Sequence, residues 1–152
     1  MYLLKRMIPA VLFCIVSCSP VSPITPDDAL DFLRKAYDRR DAGALMRVLS
    51  SASMEKIGNM NTMFASMGPA QIKAIAVKYG LPEERLRSLS MRDGIMIVMF
   101  LDPERNALAM ALKSNPVSYE RSENRMTYRM LNGMELFFVR EGPYWKLDMT
   151  GM

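Results

Sequence analysis

From Val117 onward the chain changes its hydrophobic period, and that change limits the fold more than any other feature. Val117–Arg121, Arg125–Leu131, Met134–Arg140 and Tyr144–Met149 alternate with period two and are separated by turn residues. Asn132-Gly133 is a strong short hairpin signal and predicts a two-residue type I′ turn. Gly142-Pro143 suits a type II′ turn, with Gly at the positive φ and Pro second. Four strands joined this way form an antiparallel meander.

From Thr25 to Pro116 the chain reads as a series of helices. Thr25-Pro26-Asp27-Asp28 supplies an N-cap, a proline in the first turn and two acids at the positive end of the dipole. Leu30, Leu33 and Tyr37 share one face of that helix, which should end near Arg39. Asp41 is placed to cap a second helix carrying Leu45, Met46 and Leu49. Ser50 to Ser53 reads as a break before a helix from about Met54 to Ser66. Gly68-Pro69 starts the next, which buries Ile72, Ile75, Ala76 and Tyr79 and ends at Gly80. Pro82 to Leu89 is a further short helix. Met91 to Leu101 fits either a helical face or a buried strand; helix is preferred because Ser90 can cap it. Asp102-Pro103-Glu104 then opens a last helix through Lys113. Helices first and a meander last make an α+β layout.

The N-terminus has its own logic. Lys5 and Arg6 precede an apolar run from Met7 to Val16, and small Ser17 follows. The run is about 15 Å as helix, too short for a hydrocarbon core of about 30 Å. It reads as a secretory signal. Ile15-Val16-Ser17-Cys18 resembles the lipobox of bacterial lipoproteins. That resemblance implies cleavage between Ser17 and Cys18 and acylation of the Cys18 thiol, a competent alkylation nucleophile. An ordinary secreted protein cut near Ser17 is the alternative. Ser19 resembles the outer-membrane class of lipoproteins, where the cell has an outer membrane. The expected organisation is residues 1–17 as signal, 18–25 as acylated Cys and Pro/Ser tether, and 26–152 as one domain. The tether spans about 20 Å at its most extended.

Composition narrows the chemistry. Histidine is absent, so Ser-His-Asp, Cys-His and His-zinc chemistries are excluded. The two cysteines, Cys14 and Cys18, lie in or beside the signal. The formal charge is +4, with two of the positive charges in the signal, and later basic residues are scattered. Nucleic acid is not an expected partner, and no cofactor is expected.

The helix-then-meander order resembles the nuclear-transport-factor-2-like cone of the cystatin-like group. The stretches that carry it are Pro26–Leu33 through Asp41 and Phe138-Val139-Arg140-Glu141-Gly142-Pro143-Tyr144-Trp145-Lys146-Leu147-Asp148. Cone-fold enzymes use a carboxylate base with an oxyanion donor. The corresponding candidates here are Tyr37, Thr127 and Arg129, with an acid such as Asp31 or Asp148. No motif transfers a catalytic role to them, and the plainer reading has Tyr37 in the core and Arg129 reaching an edge.

With a two-residue Asn132-Gly133 turn, Arg129 faces Leu136 and Thr127 faces Phe138. Leu131, Met134, Leu136, Phe138, Trp145, Leu147 and Met149 then make the core face. Met126, Tyr128, Met130, Phe137 and Val139 make a second apolar face, expected to meet a partner such as a second copy. Met60, Met63 and Met67 fall on one helical face, and clustered thioethers select Cu(I). Ile57 and Phe64 share that face, and core packing is the preferred reading. The sequence thus predicts a lipid-anchored cell-envelope protein, a binding or interaction module more than an enzyme. A small-molecule pocket in the cone and Cu(I) binding are the alternatives.

Overall fold

The computed structural model describes residues 23–102 and 106–151. The expected signal, Ser17, Cys18 and most of the expected tether lie outside the described residues, as do residues 103–105, where the last helix is expected to open. Helices α1 (Pro26–Asp38), α2 (Ala42–Val48), α3 (Ser51–Ser66), α4 (Pro69–Tyr79), α5 (Glu83–Arg87) and α6 (Met91–Met96) come first. A π-helical turn, Ile97–Leu101, continues α6, and α7 is described over Asn106–Leu112. Strands β1 (Pro116–Arg121), β2 (Arg125–Met130), β3 (Glu135–Glu141) and β4 (Tyr144–Asp148) form one antiparallel sheet in the order β1-β2-β3-β4. The fold is α+β, helices N-terminal and meander C-terminal.

The helix starts follow capping chemistry. Thr25 Oγ1 accepts the Asp28 N–H at 3.1 Å, and Asp41 Oδ1 accepts that of Ala44 at 2.9 Å. Residues 50–53 are not a break. Ser50 Oγ accepts the Ser53 N–H at 3.1 Å, so Ser50 caps α3 and the helix begins three residues earlier than its apolar periodicity suggests. Ser90 and Asp93 cap α6 reciprocally. The run from Met91 is helical, as preferred, but its second half widens: Asp102 N–H donates to Ile97 O at 3.1 Å, an i→i+5 bond.

One turn overturns the expected sheet faces. The β2–β3 loop holds three residues, Leu131-Asn132-Gly133, with Met130 N–H donating to Met134 O at 2.8 Å. Gly133 takes the positive φ, +82°, as the bulge residue of such a loop. The register therefore moves by one: Met126 pairs with Phe138, Tyr128 with Leu136, and Arg129 with Glu135. A one-residue slip turns every β2 side chain to the other face. Met126, Tyr128 and Met130 point into the core at 5%, 3% and 1% exposure, so the expected second apolar face is not formed. Thr127 and Arg129 move to the outer face with Phe137 and Val139. Leu131, expected in the core, is exposed in the loop. The slip is favourable because it buries three large apolar side chains and leaves an arginine and a threonine in water. The Gly142-Pro143 turn behaves as read: Gly142 has φ +60°, and Arg140 pairs with Trp145 and Phe138 with Leu147.

The helices cover the sheet's inner face. Ala29, Leu30 and Leu33 of α1, Leu45 and Val48 of α2, Ile57 of α3, Ile95 of α6 and Leu108 of α7 join Met130, Leu136, Phe138, Trp145 and Leu147 in the main core. Tyr128 Oη donates to the Asp27 carboxylate, pinning the first turn of α1 to β2. Burial and that bond together push the phenol well above its ordinary pKa. A second cluster, Phe64, Ile72, Leu86 and Ile97, holds α4 and α5 against α3. Met60 packs against both clusters.

The two sheet edges differ. On β4, Trp145 N–H donates to Pro23 O at 3.0 Å and Leu147 O accepts the Ser50 N–H at 2.9 Å. Met149 N–H, just beyond the strand, donates to Ser53 Oγ at 2.7 Å. Along that edge Trp145 N–H, Leu147 O and Met149 N–H are thus taken up by the N-terminal segment and the start of α3. Among the described residues β1 has no such cover: beyond half-buried Pro116, every residue of the strand is exposed.

Candidate functional site

A cleft of about 200 Å³ opens where α3, the end of α4, the π-helical turn and the C-terminal segment meet. Ile57, Met60, Val98 and Met149 give it apolar walls, and Ser53, Lys56, Tyr79 and Asp102 give it polar groups. The pieces come together for separate reasons. Ser53, Lys56, Ile57 and Met60 lie one turn apart along α3. The wider helical turn at Ile97–Leu101 directs Val98 to the cleft and closes with Asp102 at its end. Single-turn π segments recur at functional sites because they displace side chains from ordinary helical spacing.

The polar groups are held by named partners. Lys56 Nζ donates to Met149 O and Thr150 O, both at 3.2 Å, tying the C-terminal segment to α3. An ammonium carries three N–H donors, so two protein carbonyls leave one donor for a further acceptor. Asp102 lies 4.0 Å from Lys78 Nζ. Lys78 also sits over the Tyr79 ring at 5.3 Å from its centroid. Cationic and anionic side chains are therefore both present at the rim, with Lys56 and Lys78 against Asp102.

The sequence candidates fall elsewhere and apart. Tyr37 packs on the π-helical turn: its ring lies 4.6 Å from that of Phe100, and its hydroxyl donates to Met99 O at 3.3 Å. Burial raises the Tyr37 phenol above its ordinary pKa. Thr127 and Arg129 stand on the opposite side of the sheet, so the three do not form one pocket. Arg129 is an exposed cross-strand partner of Glu135, at 2.9 Å. Asp148 holds Thr150, and Asp31 pairs with Arg34 on the surface. The sheet's inner face, where a cone would hold its ligand, is filled by Tyr128, Met130, Leu136, Phe138 and Leu147, each at most 3% exposed.

The methionines do not form a common surface either. Met63 is 49% exposed, whereas Met60 and Met67 are packed against Phe64 and Ile72. Among the described residues no group of three or more His, Cys, Asp or Glu side chains could hold a metal ion.

Sequence reasoning did not find the cleft. Its lining comes from four separate stretches, and the one usable signal was a polar Ser53 and Lys56 flanking the apolar Ile57-Met60 pair on one helical face. Set against known proteins, the chain matches no family model, no curated protein and no solved structure.

Proposed function

We propose that this chain is a lipid-anchored protein of the cell envelope whose folded body is a non-catalytic binding module. The lipobox-like Ile15-Val16-Ser17-Cys18 supports the anchor. The cleft beside the π-helical turn carries the binding reading. An apolar cavity of about 150 Å³ is large enough to take up benzene, so about 200 Å³ suits a single ring or a short branched chain. The remaining Lys56 donor selects ligands that carry an acceptor, such as a carboxylate, beside the apolar part. Among the described residues no carboxylate pair converges on the walls, and the chain has no histidine, which supports binding over proton transfer.

Benzoate and hexanoate are direct probes. Saturation-transfer NMR on the full chain should show transfer to both. Val98→Phe fills the cleft from its wall and should abolish the transfer, while Lys56→Met should weaken benzoate more than toluene. Equal transfer in the parent and in Val98→Phe would remove the cleft as the site.

A further inference from the structure

We infer that the bare β1 edge pairs with the β1 edge of a second copy, in a register centred on Tyr119. Ser122 N–H donates to Arg125 O at 2.8 Å. In an antiparallel ladder the bonded residues alternate, so residues 118, 120 and 122 turn their backbone groups to β2. Tyr119 and Arg121 therefore turn theirs outward, and among the described residues nothing accepts or donates there. The contrast with β4 is the motive: at that edge Trp145 N–H, Leu147 O and Met149 N–H each have a partner. The bulge at Val117 and the proline before it blunt one end of β1. Ser118 to Ser122 remains open.

Symmetry fixes the register. Identical strands pair antiparallel across a two-fold axis perpendicular to the sheet, which keeps each side chain on its own face. Opposed residues then share parity, and the axis passes through a residue, not between two. Within the open stretch that residue is Tyr119 or Arg121, as a bonded pair, or Glu120, as a non-bonded pair flanked by two bonded Tyr119–Arg121 pairs. A centre at Glu120 sets two carboxylates side by side, and like charges directly opposite are unfavourable. A centre at Arg121 sets two guanidinium groups side by side and is unfavourable for the same reason. A centre at Tyr119 sets two tyrosines side by side, an aromatic cross-strand pair. Tyr119 is 68% exposed and available for it.

Charge agrees with the same centre. Ser118 is paired with Arg129, and Arg129 with Glu135. In the Tyr119-centred register Ser118 stands opposite Glu120 of the second copy. The outer face then carries a row of Glu135, Arg129, Ser118 and that Glu120, in which the cation lies between two anions. The row occurs twice by symmetry. This pairing rests on the sheet edge alone and is independent of the cleft and of the lipid anchor.

The test uses the full chain with Cys14→Ser and Cys18→Ser, so that an introduced cysteine is the only thiol. Sedimentation equilibrium should give twice the chain mass at high micromolar concentration. Tyr119→Pro removes an outward N–H without touching the ladder to β2, and should return the mass to that of one chain with Trp145 fluorescence unchanged. Tyr119→Cys should form a disulfide-linked dimer on mild oxidation, since a bonded antiparallel pair places its Cα atoms about 5.5 Å apart. Ser118→Cys and Glu120→Cys should not, since each lies about 8 Å from its own copy. A single-chain mass for the parent at every concentration, or Ser118→Cys linking as readily as Tyr119→Cys, would overturn the inference.

Discussion

Met149 N–H donates to Ser53 Oγ at 2.7 Å, joining the first turn of α3 to the residue that follows the last strand. The same hydroxyl donates to Leu147 O at 3.3 Å and lies 2.9 Å from Ser50 Oγ. Ser53 is 1% exposed, so water does not replace it. Ser53→Ala leaves the Met149 N–H without its acceptor, and a buried orphan donor costs about 1–3 kcal/mol. Urea unfolding should show a loss of that size. Ser53→Thr, which keeps an oxygen, should lose less.

Two glycine-to-alanine changes should act in opposite directions. A Cβ at Gly94 would sit 2.6 Å from Ile57 Cγ2 and 2.6 Å from Asn61 Oδ1, where α6 crosses α3. Overpacking at such a contact costs about 1–3 kcal/mol. At Gly58, within α3, the nearest side-chain atom is Met91 Cε at 3.5 Å, an ordinary contact. Alanine there removes glycine's helix penalty, about 0.5–1 kcal/mol. Thermal unfolding of both variants should show Gly94→Ala below the parent and Gly58→Ala above it.

Acid should act through the cap of α6. The Asp93 carboxylate accepts from Ser90 Oγ at 2.6 Å and from Arg85 Nη2 at 2.9 Å. These bonds, Ser90's first, hold its pKa below the ordinary carboxylate value. A carboxylate depressed in the folded state stabilises above its unfolded pKa of about 4 and loses that contribution as pH falls through the folded value. The stability gap between the parent and Asp93→Asn should therefore be full at neutral pH and close below about pH 4. Denaturant midpoints across that range measure it. A gap that widens on acidification would contradict the assignment.

Anchoring has a separate readout. Cys18→Ala should leave the protein uncut or release it from membranes, because no thiol remains at the lipobox position. Intact mass of the membrane fraction should show the parent heavier than its cleaved chain by acyl groups. An unmodified Cys18 in the mature protein would exclude a lipid anchor.

Local chemistry was legible wherever a short motif and the long-range packing agreed. Thr25-Pro26-Asp27-Asp28 starts α1 as read, and Gly142-Pro143 sets the β3–β4 register as read. At Asn132-Gly133 the two disagreed. The dipeptide suggests a two-residue turn, yet that turn would bury Thr127 and Arg129 and expose Met126, Tyr128 and Met130. Amphipathic pattern decides because burial of three large side chains outweighs the preference of one turn. The π-helical turn had no local signature: an i→i+5 bond reflects how Ile97 and Met99 are accommodated in two different clusters. The cleft was illegible for the same reason, since Ser53, Tyr79, Asp102 and Met149 become neighbours only after folding.

The Pro23–Trp145 bond has a consequence for mechanical load on the N-terminal side. Tension arriving from the N-terminal side meets that single backbone bond on β4 first, then the Thr25 cap and the buried turns of α1. Such a pull peels one contact at a time. It shears no strand past another, so it is resisted weakly at the start and firmly once Leu30 and Leu33 must leave the core. Any pull applied through Pro23 reaches the sheet at β4, three strands away from β1.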